Sequence, residues 1–256
     1  MEVWTVVGYG FFLGWVGMNM GGILAYSLGR FEQEILHLLV FMTVGALYTI
    51  VFSQILPESL ALGGFGMTII GFALGALFAF WLESFSHHFH LPTHSKKWDA
   101  FMKSGFLLAI AIGFHNFPSG IALGSTLTHS PSLAHGLSIT LMLHNVPEGI
   151  ALGIPLVLAE IGVFAFFLIS TLVAIPIGLG AYAGSLFGHA VPGSVSLLLG
   201  FSIGTILYVT YAEIFLPLWE REKRKGLGII TLLVGGILAY FFLALLHLFP
   251  APHHGS

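Results

Sequence analysis

Two stretches of the chain repeat nearly the same side chains: His115-Asn116-Phe117-Pro118-Ser119-Gly120-Ile121-Ala122-Leu123-Gly124 and His144-Asn145-Val146-Pro147-Glu148-Gly149-Ile150-Ala151-Leu152-Gly153 agree at eight of ten positions. On a helix, a residue and the one four places later share a face, so His144 projects with Glu148 and His115 with Ser119. Two such faces turned together would offer two imidazoles, a carboxylate and a hydroxyl to one ion. Those donors favour a borderline-soft divalent metal over sodium or calcium, with zinc first and cadmium, iron, cobalt and manganese behind it. The chain has no cysteine, so thiolate sites and disulfides are both excluded. The proline in each stretch removes a backbone donor and crowds the carbonyl of Phe114 or Leu143, which predicts a kinked helix at each motif.

The elements that position these residues follow from composition. Of the 256 residues, 57% are hydrophobic and 7% charged, and the mean hydropathy is +0.97. Such a chain belongs in lipid. A hydrocarbon core of roughly 30 Å takes about 20 apolar residues per helix. Eight such runs are predicted, at residues 3–28, 35–57, 63–83, 104–127, 133–158, 162–187, 194–219 and 227–249. The first reads as a permanent span and not a cleaved signal, because Glu2 stands where a basic region belongs and the run is too long. The whole chain, 1–256, reads as one transmembrane domain, with a histidine-bearing loop at 84–103.

All eight basic residues fall in three loops on one side: Arg30, then Lys96, Lys97 and Lys103, then Arg221, Lys223, Arg224 and Lys225. The positive-inside bias places those loops in the cytoplasm and both termini outside. The formal charge of -3 gives no reason to expect nucleic acid as a partner.

Internal symmetry fits the same picture. Leu47-Tyr48 followed by Ile55-Leu56-Pro57 matches Leu207-Tyr208 followed by Phe215-Leu216-Pro217 in spacing, in spans that run in opposite directions. With the two histidine motifs forming a central pair, this implies two inverted three-helix units around it, a 3+2+3 all-α arrangement. Glycines four apart, Gly10 and Gly14, Gly71 and Gly75, Gly180 and Gly184, and Gly200 and Gly204, suit close helix contacts.

A carboxylate at mid-bilayer must be neutralised, and no Lys or Arg falls inside the predicted spans, so Glu148 calls for a metal, a proton or both. Glu213, set inside the seventh run, reads either as an exit ligand or proton acceptor, or as the partner of Tyr48 or Tyr208. Glu58 is expected at the outer mouth, drawing cations or simply closing a solvated helix end. His87, His88, His90 and His94 cluster in the loop after span three, where metal contact would be modulatory. His37, His189 and His247, taken singly, read as hydrogen-bonded core residues. His253 and His254 are assigned no role.

At the paired motif the sequence resembles the ZIP family of metal transporters, whose fourth and fifth helices carry His-Asn-x-Pro-Glu-Gly. The resemblance extends to eight spans, termini outside, the histidine-bearing loop and the proline frames of spans two and seven. It implies a primary metal site of His115, His144 and Glu148 with Asn116 and Asn145 alongside, and influx toward the cytoplasm across the cell membrane. Two positions depart from the family pattern. Ser119 stands where the span-four motif usually has glutamate, and Ile175 precedes Pro176 and Gly178 where span six often has one. Both losses favour one metal at mid-membrane over two.

Three functions compete. A transporter of divalent metal, not an enzyme, is the leading expectation, with the metal as cargo, the bilayer as surroundings and a homodimer left open. An intramembrane zinc-dependent hydrolase would need a general base that is not itself a ligand, whereas this chain spends its midplane carboxylate on the metal. A non-transporting metal-binding or sensing membrane protein is the third.

Overall fold

The structure is a computed structural model that describes residues 3–29, 33–86, 96–129, 131–187 and 192–247. Every long element among them is helical: α1 Val3–Leu28, α2 Gln33–Ile50, α3 Leu56–Ser86, α4 Lys96–His129, α5 Pro131–Leu158, α6 Val163–Phe187, α7 Pro192–Val209, α8 Leu216–Arg221 and α9 Lys225–His247. Two π-helical turns, Val51–Ile55 and Thr210–Phe215, join α2 to α3 and α7 to α8.

Seven stretches among the described residues are long and apolar enough to cross a bilayer, against the eight expected. The difference lies in Glu34–Phe85, one run of 52 residues. At 1.5 Å per residue it measures about 78 Å, more than twice a hydrocarbon core of roughly 30 Å. It is interrupted at Gly64, whose φ of 69° and ψ of -176° would strain any residue bearing a Cβ. The chain therefore breaks at Gly64, several residues after Pro57, where the second span was expected to end.

The π turns explain how helix continues through the two prolines. The amide of Leu56 bonds the carbonyl of Val51 and that of Leu216 bonds Tyr211, each five residues back. Each turn sits at the same distance before its proline, so the frames matched by sequence also match in backbone. The carbonyl of Glu213, which Pro217 leaves without its usual donor, accepts the Ser104 hydroxyl at 2.7 Å.

Packing divides into close pairs. α1 lies against α5 and α6, α4 against α6 and α5, α3 against α7, and α2 against α9. Small residues set these distances. A Cβ on Gly120 would meet the Ile177 carbonyl and one on Gly180 the Phe117 carbonyl, while one on Gly149 would meet Met18 and one on Gly21 Val146. The expected glycine pairs also lie at helix contacts, with Gly71 and Gly75 facing α7 and Gly200 and Gly204 facing α3. Between α1 and α6, Trp15 Nε1 donates to Thr171 Oγ1 at 3.0 Å and Ser170 Oγ to Asn19 Oδ1 at 2.9 Å.

Helix reaches further at both edges of the expected loop at 84–103. α3 runs to Ser86 and α4 begins at Lys96, because the polar segment before Ser104 continues the helix on which the apolar run depends. Arg30, His87, His88, His90, His94, His189, His253 and His254 lie outside the described residues.

Candidate metal centre

The two motifs lie near the middles of α4 and α5, which pack against each other, and their histidines meet. His115 Nε2 and His144 Nε2 are 3.3 Å apart. Glu148 Oε1 lies 3.4 Å from the first and 3.3 Å from the second. A tetrahedral zinc with bonds of about 2.05 Å has ligand atoms about 3.35 Å apart, so this triangle is the size of one face of such a shell. Ser119 Oγ, 3.5 Å from His115 Nε2, stands beside it as a fourth oxygen while donating to the His115 carbonyl at 3.2 Å. Among the described residues, His115, His144 and Glu148 are the one group of three or more such ligands close enough to hold an ion together.

The surroundings raise the demand for a cation. His115 and Glu148 are 2% and 1% exposed, and Glu148 Oε2 has no hydrogen-bond partner within the protein. A buried carboxylate with a free oxygen carries a desolvation cost that a bound divalent ion removes. His115 Nδ1 also lacks a partner. Ligating histidines usually donate that N–H to a fixed acceptor, so among the described residues this ring lacks the usual second anchor on its Nδ1 side.

The asparagines occupy two different roles. Asn116 Nδ2 donates to the Val173 carbonyl at 2.8 Å, tying α4 to α6 one turn before Pro176. Asn145 Nδ2 donates to the Leu141 carbonyl at 2.8 Å, and its buried Oδ1 has no hydrogen-bond partner within the protein. The carbonyl of Phe114, freed by Pro118, accepts the Ser202 hydroxyl from α7 at 3.3 Å. A neighbouring helix thus satisfies the kink. Ile175 is turned outward, 41% exposed, and adds nothing to the centre.

Glu58 is exposed in the first turn of α3, within electrostatic reach of His144. Glu213 lies elsewhere, and the sequence reading of its surroundings needs correction. Lys103, expected in a loop, belongs to α4 and to its apolar stretch, and its Nζ meets Glu213 Oε1 at 3.0 Å and Glu83 Oε1 at 3.9 Å. Tyr208, expected near Glu213, donates to Glu83 Oε2 at 2.6 Å. His37 packs its ring near Phe101, centroids 6.4 Å apart.

A family model described as "Zip: ZIP Zinc transporter" matches residues 92–244, which include both motifs. Among curated proteins, the zinc transporter ZupT of Lysinibacillus sphaericus (strain C3-41) is 28% identical over 135 residues, covering 45% of this chain and 50% of that protein. The chain thus spans about half the length of this relative.

Proposed function

The chain belongs to the ZIP zinc transporter family, and on that premise we propose that it carries zinc across a membrane, toward the cytoplasm, through a site shared by α4 and α5. The observation that carries this reading is the donor triangle of His115, His144 and Glu148, with edges of 3.3–3.4 Å around a buried, otherwise unneutralised carboxylate. The relative's name as a zinc transporter supports zinc as cargo, and the tetrahedral match supports it independently.

In this reading residues 1–256 form one eight-span unit, with Glu34–Phe85 crossing twice and turning at Gly64. The helix pairs support an inverted repeat. Exchanging α1 with α6, α4 with α5, α2 with α7 and α3 with α9 turns the α1–α5 contact into α6–α4 and the α3–α7 contact into α9–α2, and all four pairs are observed. The matched π turns directly follow the exchanged elements α2 and α7. Both termini lie outside and the basic loops face the cytoplasm of a cell membrane.

Glu58 draws the ion toward His144, and the triangle exchanges hydration water for two imidazoles and a carboxylate, with Ser119 or a water completing the shell. One ion occupies the centre, since Glu148 is its sole carboxylate. Release passes toward the Lys103 end, where Glu213 already has a cationic partner and acts as a pathway residue only when Lys103 moves away. The histidines at 87, 88, 90 and 94 tune the rate from the cytoplasmic side.

Zinc flux into vesicles holding purified protein, read with a trapped fluorescent indicator, tests the proposal. Wild type transports, while His144→Ala and Glu148→Ala at equal reconstitution fall to the rate of protein-free vesicles. Wild-type flux in either variant would refute the site.

A further inference from the structure

An apolar groove of about 640 Å³ opens between α4, α6 and α7, lined among others by Phe106, Gly113, Phe117, Leu172, Val173 and Phe201. Its size falls in the roughly 300–1,000 Å³ range of small-molecule sites. The fold explains why it is there. Beyond the prolines, Gly120 and Gly124 of α4 press against Ile177 and Ala181 of α6, and Gly180 and Gly184 press back on Phe117 and Ile121. On the other side of Pro118 and Pro176 the two helices part, and Gly113 leaves the opening without a side chain to fill it: a Cβ there would meet nothing within 4 Å.

The surroundings identify the occupant. Every lining side chain is carbon and hydrogen only, and Phe106 and Leu172 are 60% and 66% exposed on helices apolar enough to cross a membrane. What lies outside is hydrocarbon. From Phe106 to Phe117 the groove follows α4 for about 16 Å at 1.5 Å per residue, close to half of a hydrocarbon core of roughly 30 Å. It begins near the charged Lys103 end and stops at the depth of the histidine motif, so it is one leaflet deep.

We propose that this groove is a binding site for one acyl chain of a membrane lipid, drawn from the leaflet at the Lys103 end, and that the chain bears on the metal centre from behind. Phe114 and Phe117, which line the groove, flank His115 and Asn116. Val173 lines it too, and its carbonyl holds the Asn116 amide at 2.8 Å. Phe114 and Phe201 stack edge to face at 5.3 Å, with Phe78 of α3 5.1 Å from Phe114. The seated chain therefore lies where α4, α6 and α7 meet, and it resists any shift of α4, the helix that carries His115.

The test needs no transport activity, so its failure is distinct from failure of the zinc reading. Purified full-length protein, stripped of lipid and titrated with phosphatidylglycerol, is examined by native mass spectrometry for lipid retained per chain. Gly113→Phe fills the groove. Gly66→Phe places the same ring at another open glycine on α3, away from the groove, and serves as control. Wild type and Gly66→Phe retain one tightly held lipid, and Gly113→Phe binds it at least about tenfold more weakly. Equal retention by Gly113→Phe, or a groove-dependent dimer in place of a retained lipid, would overturn the proposal.

Discussion

Replacing Glu148 with Gln keeps the side chain's size and removes its charge, and it should move metal binding and intrinsic stability in different directions. Glu148 Oε2 is buried without a partner, and Oε1 faces two imidazole nitrogens at 3.3–3.4 Å. An unsatisfied buried polar group costs about 1–3 kcal/mol and a charged one more; the Gln amide leaves a polar atom in the same place but no charge, so the metal-free variant keeps the protein's stability or gains the difference. Binding follows the other course. Disturbing even the outer partners of a metal ligand weakens affinity about 10–100-fold, and losing a direct carboxylate belongs at the top of that range or beyond. At free zinc 100 times the wild-type Kd, bound metal adds about 2.7 kcal/mol to stability, and a site 100-fold weaker keeps about 0.4 kcal/mol of it. Thermal unfolding in detergent, with and without zinc, reads both effects. Wild type gains a clear zinc-dependent rise in Tm, while Glu148→Gln starts at or above the wild-type metal-free Tm and barely responds. A Gln variant that unfolds well below metal-free wild type, or that keeps the full zinc shift, would refute the reasoning.

Zinc flux should fall as pH drops toward about 5, because a proton and the metal compete for the same imidazole nitrogens; a rate that climbs steadily with acidity would point to proton-driven import. Deleting residues 87–94 should change the rate by a modest factor, and complete loss of flux in a folded protein would show that the segment belongs to the conduction path. Gly120→Val should destabilise the pairing of α4 with α6 by about 1–3 kcal/mol or more, since its Cβ would run into the Ile177 carbonyl. An unchanged unfolding midpoint would contradict that contact.

Local periodicity carried much of the centre. His144 and Glu148 stand four apart on one helix, and the same frame at His115 made the second face visible before any tertiary contact was known. The partner of Asn116 was not legible, because the Val173 carbonyl comes from a third helix and carries no side-chain signature. Pro57 read as a helix end, yet a π turn realigns the hydrogen bonds and lets helix continue to the break at Gly64. Composition does not announce a π turn, although the matched frames at Pro57 and Pro217 marked both places. Lys103 was misplaced for a related reason. Apolarity begins at Ser104 but the helix begins at Lys96, and helix formation needs no apolar residues in its first turns once the rest is packed. The Lys103–Glu213 pair then depends on α4 meeting the π turn after α7, which only the fold supplies.

Anomalous diffraction from crystals soaked in zinc at modest concentration tests the centre most directly. The account predicts one strong peak between α4 and α5, about 2.0–2.2 Å from His115 Nε2, His144 Nε2 and Glu148 Oε1. Two fully occupied peaks within about 5 Å of each other, or a peak that avoids Glu148, would contradict it.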